Sequence, residues 1–81
     1  MNLRQQLIEY RAKLADASKY PEVPVYAKER VLENLDSLLA TEDGEDFPAR
    51  VTSFGAGAAR FLYDQFSQAD LEDLMGDMPD P

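Results

Sequence analysis

The side chains that could do chemistry here are carboxylates: the chain of 81 residues holds 16 of them, with no histidine and no cysteine. Two facing carboxylates can act as general acid and base. Most of these, however, fall in turns or on helix faces expected to be exposed, and no spacing fixes a pair. A nucleophilic serine or threonine would need a base beside it. The four serines and two threonines stand instead in capping or helical contexts. The usual ligands of zinc, haem and iron–sulfur clusters are missing, so no metal or cofactor is expected. A calcium loop of the EF-hand type needs an oxygen ligand first and a glycine sixth. Placing Gly44 or Gly76 sixth puts Leu39 or Leu71 first, and both registers fail. Gly55-Ala56-Gly57 does not follow a strand, as a phosphate-binding loop would. It reads as close helix packing. The expectation is a protein that is not an enzyme.

The carboxylates can, however, bind. Residues 1–40 carry six basic and six acidic side chains, whereas residues 41–81 carry two basic against ten acidic, so the formal net charge of −8 sits in the second half. Glu42, Asp43, Glu45 and Asp46 make one cluster; Asp64, Asp70, Glu72, Asp73, Asp77 and Asp80 make another. Carboxylates on a rigid scaffold can compete for a basic groove built for phosphates and be steered to it by charge. The plainer role of such residues is to keep a small domain soluble. The same charge argues against direct binding to nucleic acid or to an anionic membrane.

Two apolar features compete for the role of interface. In the tail, Leu71, Leu74 and Met75 are interleaved with acids, as in short helices that lay an apolar stripe into a partner's groove. Gln68-Ala69-Asp70-Leu71 resembles the start of bacterial sliding-clamp-binding peptides, which continue with an aromatic or apolar residue where this chain has Glu72. The plainer reading is that these three side chains close the end of the bundle. Phe47, Phe54 and Phe61 form a seam that is either core or the contact of a homodimer.

Helices must position all of these groups. Leu3, Leu7, Tyr10, Leu14 and Ala17 alternate spacings of four and three, which predicts a helix over 2–19 with Glu9 and Lys13 paired on its surface. Tyr20-Pro21-Glu22-Val23-Pro24 breaks it, and Pro24 can open a second helix over 24–40. Tyr26, Val31, Leu32, Leu35, Leu38 and Leu39 give that helix its apolar side. An acidic turn over 41–46 ends in Asp46, a natural N-cap for a third helix over 47–66. That helix is apolar over most of its circumference, leaving a polar strip of Arg50, Ser53, Gly57, Arg60 and Asp64, so it is predicted to be central. Ser67 caps a short fourth helix over 67–75 with Asp70 in a capping-box position, Gly76 serves as its C-cap, and an acidic tail follows over 76–81.

The expected architecture is therefore all-α: one domain, a small bundle of three helices plus a short C-terminal helix. No run approaches about 20 apolar residues, and Met1-Asn2-Leu3-Arg4 lacks the start of a signal peptide, so a cytoplasmic protein is the simplest expectation. In size, charge and helicity the chain resembles bacteriocin immunity proteins and small phage-encoded inhibitors of host defence, a likeness of type with no motif behind it. The expected function is an acidic, non-enzymatic inhibitor that occludes a basic surface on a nucleic-acid-handling or toxin-like protein. The alternative is an assembly protein that self-associates through its third helix.

Overall fold

Asn2 opens the first helix by accepting the Gln5 backbone N–H on its side chain at 2.8 Å. Such a cap stabilises a helix by about 1 kcal/mol. The computed structural model describes residues 2–42, 44–66 and 71–80. Over these the chain is all-helical: α1 spans Leu3–Ala15, α2 Val25–Leu39, α3 Phe47–Gln65 and α4 Glu72–Asp77. None of these helices is long and apolar enough to cross a membrane.

Helix α1 ends four residues earlier than its pattern predicts. The Asp16 carboxylate takes the Ser18 backbone N–H at 2.9 Å and the Ser18 hydroxyl at 2.7 Å, a local turn that competes with the helix. Ala17 is thereby exposed and leaves the apolar seam. Lys13 is not paired with Glu9; it lies 3.9 Å from Asp77. The break is a turn in which Val23 N–H donates to the Tyr20 carbonyl at 3.0 Å, with Pro21 at its second position. Pro24 stands one residue outside α2, as its N-cap, and its carbonyl accepts from Ala27 and Lys28.

The C-terminal end of α2 is closed from two sides. Thr41 Oγ1 donates to the Leu38 carbonyl at 2.6 Å, and Arg4 of α1 donates to the carbonyls of Leu39 and Thr41. A cation here also meets the negative end of the helix dipole. The Arg4 guanidinium continues over the Phe47 ring, 4.9 Å from its centre. One side chain thus ties the starts of α1 and α3 to the end of α2.

The core is a single cluster drawn from all four helices. It includes Leu7, Tyr10 and Leu14 of α1; Ala27, Val31, Leu35 and Leu38 of α2; Phe47, Val51, Ala58 and Leu62 of α3; and Leu74 of α4, with Leu71 just before it. The central helix is α2, which packs against both α1 and α3. The expectation that α3 would be central is corrected. Much of what makes α3 look apolar is small, and Ala49, Ala56 and Gly57 are exposed. Short side chains raise apolar content without supplying the area that burial rewards. Tyr26 is likewise corrected: it is 60% exposed, its ring tilted against Phe66 with centres 6.0 Å apart.

Helix α4 is too short to hold its shape alone, and it is docked. Leu71 and Leu74 are buried, and the Tyr10 hydroxyl donates to the Leu74 carbonyl at 3.1 Å. On its other flank Met78 covers Gly55 of α3, where a Cβ would stand 3.3 Å from the sulfur. Gly55 therefore has the close crossing expected of it, whereas Gly57 has nothing within 4 Å. Gly76 lies inside α4, and Met78 is the C-cap. The predicted helix start at Ser67 and the Ser67–Asp70 capping box lie outside the described residues.

Candidate binding surfaces

The acidic residues separate according to what each one touches. Asp46 stands at the N-cap of α3, but its carboxylate does not cap the helix. It accepts from Arg50 Nε at 2.8 Å, and this bond holds the carboxyl below the usual carboxylate range. Asp77 accepts the Tyr20 hydroxyl at 2.7 Å and lies within ion-pair reach of Lys13. Burial first, and then the bond to Asp77, push the Tyr20 hydroxyl well above its ordinary value, so it remains a donor. Burial likewise raises Tyr10. Asp46 and Asp77 thus serve the fold directly.

The remainder are turned outward. Glu42, Glu45, Asp64, Asp73 and Asp80 are exposed and make no ion pair with any described residue. Glu72 is exposed as well. Asp43 and Asp70 lie outside the described residues. Asp64 is set apart from the others by helical geometry. Val51, Thr52, Gly55 and Ala56 line the groove between α3 and α4, which also takes in Met75, Met78 and Asp80. Asp64 shares the opposite strip of α3 with Arg50 and Gly57. The outward carboxylates therefore fall into three groups along the chain: Glu42 and Glu45 in the α2–α3 turn, Glu72 and Asp73 on α4 with Asp80 just beyond it, and Asp64 on the far side of α3.

The basic residues behave differently. Arg4 caps α2, and Lys28 is buried with its ammonium donating to the Lys19 carbonyl. Arg11 pairs with Asp36, Arg50 with Asp46 and Lys13 with Asp77. Arg30 lies over the Phe61 ring, 5.7 Å from its centre. Six of the eight basic side chains are thus directed at the chain's own groups.

Of the apolar candidates, Phe47, Leu71 and Leu74 are buried in the core and offer nothing to a partner in this conformation. Phe54, Phe61 and Met75 are partly buried at its edge. Ile8, Val25, Tyr26 and Tyr63 are the large exposed apolar side chains among the described residues, and of these the helical spacing flagged only Tyr26, as core. No three carboxylates gather closely enough among the described residues to hold a metal ion. The tie made by Arg4 and the latch of Tyr20 on Asp77 carry no sequence signal, since each joins residues more than 30 positions apart.

Comparison with family models, with curated proteins and with solved structures finds no match.

Proposed function

We propose that this protein is a non-enzymatic binding module that uses unpaired carboxylates to cover a basic surface on a protein partner, as a phosphate backbone would. The observation that carries this reading is the division of labour among its charges. Most of the cations are directed inward or paired, while Glu42, Glu45, Asp73 and Asp80 are exposed and make no ion pair among the described residues. Exposed charges of one sign raise the rate at which an oppositely charged partner is met. A rigid array of them resembles a nucleic acid in the one respect that a basic groove reads without regard to sequence. A partner that handles nucleic acid, or a toxin that attacks it, has such a groove.

The test is capture of partners on the immobilised protein at low and at high salt, beside a variant carrying Glu42→Lys, Glu45→Lys, Asp73→Lys and Asp80→Lys. The expected result is a small set of basic proteins, retained at low salt by the wild type, released by a competing polyanion and lost with the variant. Equal retention by both proteins would contradict the reading.

A further inference from the structure

The strip of α3 that faces away from α4 has no cover within the described chain. Gly57 sits in the middle of a helix, where glycine is unfavourable, and no contact among the described residues requires its missing side chain. Arg60 and Asp64, on the same strip, are exposed and make no ion pair with any described residue. Phe54 and Phe61 border the strip half-buried. Beside it, between α2 and α3, runs an open groove of about 310 Å³ lined by Asn34, Leu38, Arg50, Ser53, Phe54 and Gly57, among others.

We infer that a second copy of this chain docks here, with α3 lying antiparallel against its counterpart about a two-fold axis at Gly57. The order of charges along the strip selects this occupant. In an antiparallel pair centred on Gly57, each residue stands level with the one equally far on the other side of the centre, and the two meet when both lie close to the line through Gly57, as Arg50 and Asp64 do. Arg50, seven residues before Gly57, then faces Asp64, seven residues after it. Phe54, three before, and Phe61, four after, lie on the same edge of the strip, so Phe54 meets Phe61 of the other copy. Symmetry repeats both pairs, giving two ion pairs and two aromatic contacts. Arg50 uses Nε for Asp46, which leaves both terminal amino groups of its guanidinium for Asp64 of the other copy. A parallel pair would set Arg50 on Arg50 and Asp64 on Asp64, so the charge order also rejects the wrong orientation. At the axis, the absence of a side chain at Gly57 lets the two backbones approach, and Phe54 and Phe61 lose their remaining exposure. Seven residues of helix place each ion pair about 10 Å from the axis, where a shallow crossing of about 20° keeps the two helices within arginine's reach.

One helix face makes a small interface of the transient class. Sedimentation of the full chain should therefore run from about 1 µM to about 1 mM, and a reversible shift from monomer to dimer is expected across that range. Arg50→Asp and Asp64→Arg should each weaken dimerisation roughly tenfold or more, because each sets like charges opposite one another twice. An equimolar mixture of the two variants should pair again, since unlike charges then face each other at both ends of the interface. The double variant, in which the two charges simply exchange places, should recover as well. Circular dichroism of each variant separates loss of pairing from loss of fold. A wild type that stays monomeric throughout overturns the inference. Single reversals that dimerise like the wild type, or a mixture that does not recover, overturn it too. Glu42, Glu45, Asp73 and Asp80 are untouched in these variants, so the two proposals fail separately.

Discussion

Tyr20 is the one non-glycine residue among those described with a left-handed backbone, at φ 53°, and it directly precedes a proline. That geometry costs about 1–2 kcal/mol. It persists because the ring is buried and the hydroxyl reaches Asp77. Tyr20→Phe keeps the ring and loses the bond, and is expected to lower stability by about 1 kcal/mol in denaturant titration. Tyr10 and Tyr20 both have their hydroxyls raised by burial. Their unfolded value is about 10. A raised folded value means that their contribution is intact below that pH and is lost as pH climbs beyond it. Part of the phenolate absorbance should therefore appear only as helical circular dichroism disappears. Phenolate signal that develops fully while the helices persist would refute this. The glycines separate in the same way. Gly57→Ala, with open space around it, should raise monomer stability by about 1 kcal/mol. Gly55→Ala must displace the Met78 sulfur and should gain less. The same Gly57→Ala should weaken self-association, an opposite sign that no purely structural role of Gly57 would produce.

At the scale of elements, the four helices were legible in the spacing of leucines and aromatics, and their ends and ranking were not. Apolar spacing continues through Ala17, yet α1 stops at Ala15 because the Asp16 carboxylate offers Ser18 a better local partner than the helix does. The apolar pattern of α3 overstates its place in the core, because alanine and glycine count as apolar in a pattern while contributing little buried area. The tail's pattern fits either a partner's groove or the end of the bundle, and the buried Leu71 and Leu74 place it against its own core. Leu74→Ala should then cost about 2–5 kcal/mol, enough to unfold much of so small a protein, and thermal unfolding measures it. A change of less than about 0.5 kcal/mol would mean that α4 is not held there. Arg4→Ala removes the cap of α2 and the cover of Phe47 together, and is expected to lower stability by about 1–2 kcal/mol. Of the candidate acidic site, the sequence revealed the excess of carboxylates. It could not reveal which are engaged, because Asp77 and Asp46 are told apart from Asp73 and Asp80 only by what folds against them.

For the molecule as a whole, charge bears on stability and on the proposed binding. Asp36 and Asp46 are held below the usual range by hydrogen bonds from Arg11 and Arg50, and Asp16 by its bonds from Ser18. Carboxyls depressed by folding stabilise above their unfolded value of about 4, and that contribution fades as pH falls through their lowered range. Because these are exposed groups the loss should be gradual, and high salt should reduce it. The outward carboxylates Glu42, Glu45, Asp73 and Asp80 form no such pair among the described residues, and the proposed function assigns them to a basic partner. The most direct measurement is displacement: a labelled nucleic acid bound to a captured partner, titrated with this protein at fixed salt. The wild type should release the strand in proportion to partner occupied, and the variant with lysine at 42, 45, 73 and 80 should release none. A ternary complex that keeps the strand bound, or equal release by both proteins, would contradict the account.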